Sequence, residues 1–65
     1  MKISVNGEIL QTEVTYLSSL LKELGYEGNW LAIAVNAEVV PLDKRSQFVL
    51  HERDKIEILS PMQGG

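Results

Sequence analysis

Lys2-Ile3-Ser4-Val5-Asn6-Gly7-Glu8-Ile9-Leu10-Gln11 reads as two short strands around a tight turn. Asn-Gly is the strongest short hairpin signal, because a type I′ turn needs positive φ at both central residues. A two-residue turn pairs Val5 with Glu8, Ser4 with Ile9 and Ile3 with Leu10. Paired residues share a face. Ile3, Val5 and Leu10 therefore build the core side, while Ile9 falls on the opposite face beside Ser4. The returning strand is expected over Glu8 to Glu13.

Downstream of the hairpin the apolar period changes from two to 3.6. Leu17, Leu20, Leu21 and Leu24 recur at i, i+3, i+4 and i+7, one stripe of a helix over residues 16–24. Ser18, Ser19, Lys22 and Glu23 take the wet side. Thr15 is the expected N-cap, its hydroxyl accepting from a first-turn amide, and Gly25 is the expected left-handed C-cap. Tyr26 to Asn29 reads as loop.

Trp30 to Val35 predicts a third strand, with Leu31, Ile33 and Val35 on one side and the small Ala32 and Ala34 on the other. Asn36-Ala37 is a turn signal, and since Ala resists positive φ a type I turn is expected there in place of type I′. Glu38 to Val40 is a short strand ended by Pro41. Asp43 is the expected cap of a single helical turn over Lys44 to Gln47, ahead of Phe48, Val49 and Leu50. His51-Glu52-Arg53-Asp54 is a polar turn. Lys55 to Ser60 closes the body as a last strand, with Ile56 and Ile58 inward and Glu57 and Leu59 outward.

One helix with four or five strands must lie across one face of a single sheet. If the last strand enters beside the first, it runs parallel to it. The expected fold is therefore α+β, a ubiquitin-like β-grasp with a mixed four- to five-stranded sheet. Residues 1–60 form the domain and residues 61–65 a flexible tail.

Composition sets the function classes. At 65 residues the chain is one domain, near the lower limit for folding without metals or disulfides. It has no cysteine, hence no disulfide, no thiolate nucleophile and no cysteine metal site. Six basic residues against nine acidic ones give a net charge of −3, which offers no support for binding phosphate backbones. The longest apolar run, Trp30 to Val35, is too short to span a bilayer, and Met1 to Val5 has no signal-peptide core. The expected setting is the cytoplasm. No acid/base pair stands at helical spacing, and the single His51 lies in a polar turn, where a solvated, inert role is expected. The glycines Gly7, Gly25 and Gly28 fit turns and caps, and the GxxxxGK phosphate-loop pattern is absent.

Gly64-Gly65 follow Ser60-Pro61-Met62-Gln63. Glycine accepts backbone angles closed to other residues. A Gly-Gly end is therefore thin enough to thread a carboxylate into another protein's narrow active site. Fully extended, residues 61–65 reach at most about 17 Å beyond Ser60, leaving the body docked outside.

With these pieces in order, the chain resembles the small β-grasp sulfur carriers of thiamine biosynthesis, the ThiS family. The resemblance rests on Val5-Asn6-Gly7-Glu8, Leu20-Leu21 with Leu24, and Ala34-Val35-Asn36-Ala37-Glu38-Val39-Val40-Pro41. It continues through Asp54-Lys55-Ile56-Glu57-Ile58-Leu59 to Gly64-Gly65. The chain departs from the family at Ala37 and Arg53, where members usually carry Gly, and over Leu42 to Arg45. The resemblance implies that the chain is a protein co-substrate and not a catalyst, and that it binds no cofactor of its own. A ubiquitin-activating-like adenylyltransferase would use ATP and Mg²⁺ to adenylate Gly65, with Gly64 keeping the approach slim. Sulfur from a sulfurtransferase or cysteine desulfurase would then give a thiocarboxylate for thiazole synthase. The sulfur carriers of molybdopterin synthesis and tRNA thiolation share fold and tail. A β-grasp interaction module without tail chemistry is the alternative of a different class.

Ile9 and Leu59, on the face away from the helix, and Met62, at the root of the tail, are the candidate docking residues, since an uncovered apolar patch marks a partner site. Glu8, Glu13, Glu38, Glu52 and Asp54 read as a solubilising surface.

Overall fold

A computed structural model describes residues 1–26 and 31–59. The strands are β1 (Lys2–Val5), β2 (Glu8–Gln11), β3 (Ala32–Val35), β4 (Glu38–Val39) and β5 (Lys55–Leu59), with one helix, α1 (Leu17–Leu24), and a 3₁₀ turn at Leu42–Lys44. The strands form one five-stranded sheet in the order β2-β1-β5-β3-β4. β5 runs parallel to β1 and antiparallel to β3, and both outer pairs are antiparallel hairpins. The fold is the expected α+β β-grasp. Trp30 and Ser60, the outer ends of two expected strands, lie outside the described residues, as do Glu27 to Asn29 and the tail.

The first hairpin has the expected register, Val5 opposite Glu8, Ser4 opposite Ile9 and Ile3 opposite Leu10. Asn6 at φ 51° and Gly7 at φ 87° supply the positive angles of a type I′ turn. The strand proper ends at Gln11, but an exchanged pair carries the ladder further: Thr12 N–H donates to Met1 O at 3.0 Å and the Met1 amino group to Thr12 O at 2.9 Å.

Leu17 and Leu20 are fully buried and Leu21 nearly so, with Leu24 packed at the margin. They meet Ile3, Ile33, Val35, Ile56 and Ile58 from the sheet, so strand and helix periods converge on one core. Burying each such side chain contributes about 1.5–3 kcal/mol. Gly25, at φ 84°, ends α1 as expected, its N–H directed at the carbonyls of Leu21 and Lys22.

The helix start differs from expectation. Tyr16, not Thr15, is the N-cap, and no side chain caps the first turn. Helix N-termini leave orphan amides that need acceptors. Here carbonyls from the far end of the chain provide them: Leu17 N–H donates to Phe48 O at 2.9 Å and Ser18 N–H to Arg45 O at 3.1 Å. Thr15 is held instead in an extended segment, its carbonyl accepting from Leu50 N–H at 2.8 Å, beside a bridge between Tyr16 and Val49.

The 3₁₀ turn also sits earlier than expected. It begins at Leu42 after Pro41, and Asp43 lies within it without a capping bond. Proline's fixed φ suits the residue ahead of a helical turn, which moves the start upstream of Asp43. Arg45 follows, buried, and donates from its guanidinium to Leu31 O at the entry to β3.

The second hairpin overturns the type I expectation. Asn36 at φ 53° and Ala37 at φ 71° both take positive angles, so the turn is type I′ despite the alanine Cβ. The reason lies in Asn36. Its N–H donates to Lys55 O at 2.8 Å, its Oδ1 accepts from Lys55 N–H at 3.0 Å, and its Nδ2 donates to Asp54 Oδ1 at 3.0 Å. Those bonds over-determine the left-handed conformation, and Ala37 follows. Arg53 likewise sits at φ 69° in the polar turn. Ala37 and Arg53 thus both take a glycine-like backbone geometry.

Asp54 is not a surface acid. It is buried, with Oδ1 bonded to Asn36 and Oδ2 accepting from His51 N–H at 2.8 Å. Glu52 is exposed but accepts from Lys2 N–H at 3.0 Å through Oε2. Glu8, Glu13 and Glu38 are exposed as expected, and so is His51.

Candidate functional site

Among the described residues, the sheet has one face under α1 and one face open. Alternation along each strand sets the open face: Ser4 from β1, Ile9 and Gln11 from β2, Ala32 and Ala34 from β3, Val39 from β4, and Lys55, Glu57 and Leu59 from β5. Ile9 is 77% exposed and Leu59 65% exposed, so both expected docking residues stand on the surface assigned to them. Met62 lies outside the described residues.

They do not touch. Ser4 pairs with Ile9 on one side and with Lys55 on the other, and Leu59 stands farther along β5. Strand spacing and rise put Leu59 about 10 Å across the sheet and about 13 Å along it from Ile9. A third apolar corner, Val39 at 75% exposure, was missed in the sequence. Its pairing with the outward Ala34 places it on this face. The alternation of Glu38 to Val40 carried the signal, since buried Val40 leaves Val39 facing out. Between these corners lie the small Ser4, Ala32 and Ala34 and, on the central strand β5, the exposed Lys55 and Glu57.

Charge is uneven over this face. A shallow hollow of about 430 Å³ beside Ile9 is lined by Lys2, Lys55 and Arg53 against Glu52 alone. In a chain of net charge −3, that concentrates positive charge at one corner of the open face.

β5 crosses the open face and leads, in sequence, toward Gly64 and Gly65. It is the central strand, and its last described residue, Leu59, stands opposite Ala32. Gly64 and Gly65 themselves lie outside the described residues. Among the described residues no group of three or more His, Cys, Asp or Glu side chains is placed to hold a metal ion. No helix among them is long and apolar enough to cross a membrane.

Comparison with known proteins follows this geometry. The family model described as the ThiS family matches residues 1–65. A crystal structure of a thiamine biosynthesis protein (ThiS) from Geobacter metallireducens superposes with a TM-score of 0.84 at 23% identity, covering 100% of both chains. A solution structure of a thiamine biosynthesis protein from the same organism gives 0.80 at 23% identity, covering 100% of this chain and 88% of that one. At that identity the two structures speak to the fold. A protein named thiazole synthase from Paramagnetospirillum magneticum is 33% identical over 66 residues, covering 100% of this chain. The chain spans only 20% of that relative's length. Matched by the family model from its first residue to its last, and carrying the β-grasp sheet that the family's motifs imply, the chain belongs to the ThiS family.

Proposed function

We propose that the chain is a sulfur carrier for thiazole formation in thiamine biosynthesis, acting as a protein co-substrate. The observation that carries this reading is the match of the whole chain to the ThiS family on a β-grasp body. In it, residues 1–60 are the docking body and residues 61–65 the reactive tail.

The chemistry follows from the weakness of a carboxylate as an electrophile, since attack must add to an already anionic group. An adenylyltransferase of the ubiquitin-activating kind, using ATP and Mg²⁺ in its own site, joins a Gly65 carboxylate oxygen to the α-phosphorus and releases pyrophosphate. A sulfur nucleophile, delivered by a sulfurtransferase or cysteine desulfurase, then attacks the acyl carbon. AMP leaves; with the donor's persulfide as nucleophile this gives an acyl disulfide, and a thiol then attacks the donor's sulfur, forming a disulfide with it and freeing the thiocarboxylate. Gly64, lacking a side chain, keeps the strand slim enough to enter the partner's site. The open sheet face, with Ile9, Val39 and Leu59 at its corners, is the docking surface; Met62, outside the described residues, is the remaining docking candidate. The setting is the cytoplasm, where ATP is supplied.

Thiazole synthase is the proposed acceptor. The relative from Paramagnetospirillum magneticum supports this, because a segment like the present chain occupies 20% of a protein bearing that name. Joining two partners in one polypeptide raises their effective concentration.

Intact-protein mass spectrometry tests the reading. After incubation with ATP, Mg²⁺, the activating enzyme and a sulfur donor, the chain should gain the mass of one oxygen replaced by sulfur, mapped to Gly65. An unchanged mass with an enzyme active on its own carrier rejects the assignment.

A further inference from the structure

Arg53 takes φ 69° in the turn that enters β5, an angle that strains any residue with a side chain and suits glycine. Its N–H donates to Lys2 O at 2.6 Å, which fixes the turn against the start of β1. Backbone strain of this kind clusters at functional positions, and here the side chain is a cation. Arg53, Lys2 and Lys55 line one hollow of the open face, beside Ile9. Lys55 is paired with Ser4, and Lys2 stands two residues from Ser4 along β1. Strand rise and spacing set Lys2 and Lys55 about 8 Å apart at Cα, within the screening length at physiological salt.

Three of the chain's six basic residues thus share one corner, and Glu52 is the one carboxylate among the described residues that lines it. Glu52 is already engaged, its Oε2 accepting from Lys2 N–H at 3.0 Å. Asp54, next to Arg53 in sequence, is buried and spends its oxygens on Asn36 and His51 N–H. Glu57, the next outward residue of β5, lines the neighbouring hollow. Like charges held this close repel, so the free chain gains no stability from the cluster. A partner that brings a carboxylate here removes the repulsion and adds an attraction. The chain's net charge of −3 disfavours a phosphate backbone as that partner, and exposed Ile9 at the rim offers a protein surface an apolar contact.

We propose that Lys2, Arg53 and Lys55 form a docking corner for an acidic side chain of the activating enzyme, set beside an apolar contact on Ile9. This rests on the sulfur-carrier reading, in which adenylation is the first encounter. Arg53 accepts backbone strain because glycine could not supply its charge.

Calorimetry with the activating enzyme, pyrophosphate release and thermal unfolding are measured on one set of chains. Arg53→Gly should weaken binding about tenfold while raising Tm, since it removes the cation and the strain together. Lys2→Gln and Lys55→Gln should each weaken binding about threefold, with Tm unchanged or higher. Glu52→Gln keeps an acceptor for Lys2 N–H and should tighten binding about twofold. Lys44→Gln removes the same charge from the exposed 3₁₀ turn and is the control, with Kd unchanged. In the corner variants kcat at saturating carrier should stay within about twofold. Raising salt from about 0.05 M to about 0.5 M should narrow the differences in Kd. Equal weakening by Lys44→Gln reduces the effect to net charge and overturns the corner. Wild-type affinity in the corner variants, or weaker binding that tracks a lower Tm, overturns it as well. A wild-type chain that binds but releases no pyrophosphate removes the carrier reading, while the Kd values still decide the corner. One that neither binds nor reacts removes both.

Discussion

Asn36 donates from Nδ2 to Asp54 Oδ1 at 3.0 Å, and this bond joins two turns that each hold a side-chain-bearing residue in the left-handed region. Ala37 at φ 71° and Arg53 at φ 69° occupy positions that glycine would take without steric cost. The strain persists because the bonds around Asn36 and Asp54 leave the backbone no alternative.

Relief of that strain is measurable. Ala37→Gly and Arg53→Gly should each raise stability by about 0.5–1 kcal/mol, the left-handed penalty exceeding the entropy that glycine adds to the unfolded chain. For a domain of this size that is a Tm increase of about 3–6 °C. A decrease in Tm would mean that the side chains make contacts worth more than the strain.

Asp54 should behave as a core residue. Asp54→Ala leaves Asn36 Nδ2 and His51 N–H without acceptors and should cost about 2 kcal/mol in urea unfolding. Asp54→Asn should also destabilise, by about 1 kcal/mol, because both oxygens accept and an amide offers only one acceptor. Neutral outcomes for both would return Asp54 to the solubilising surface.

The fold has little reserve at 65 residues. Leu20, fully buried on α1, should cost about 2–5 kcal/mol when truncated to Ala. That is comparable with the whole stability of a small domain. Leu20→Ala should therefore show a large unfolded fraction by circular dichroism at 25 °C, whereas Ser19→Ala, on the wet face, should not.

Docking and folding should separate on the open face. Ile9→Glu, Val39→Glu and Leu59→Glu alter exposed side chains and should each change stability by less than about 0.5 kcal/mol. Affinity for thiazole synthase or the activating enzyme, measured by calorimetry, should fall about tenfold or more for those at the centre of the contact. Wild-type affinity in all of them would move the docking surface elsewhere.

Deleting Gly65 should abolish thiocarboxylate formation by mass spectrometry and leave the Tm within about 1 °C, since surface changes away from the core are close to neutral. Thiocarboxylate on the shortened chain would sink the tail chemistry.

What the sequence by itself determined is local. The register of the first hairpin follows from Asn6-Gly7, and the helix face from the leucine spacing. The end of α1 follows from Gly25, and the outward stance of Ile9 and Leu59 from strand parity. Each is set by residues within one turn or one strand of each other, where periodicity and turn chemistry act without reference to the rest of the chain. Val39 was legible by the same parity once Val40 is read as core.

Only the tertiary structure decided which groups satisfy which. The first-turn amides of α1 found Phe48 and Arg45 and not Thr15, because the 45–50 segment packs across the helix start. Asn36 and Asp54 met only once β5 had entered between β1 and β3, and that meeting held Ala37 at an angle its own chemistry disfavours. Asn6 reads in the sequence as a turn residue. It became part of a ladder because Ile58, 52 positions away, arrived with an N–H and a carbonyl that β1 no longer reached. A backbone polar group in a packed sheet must be paired, but the identity of its partner belongs to the register of strands far apart in sequence.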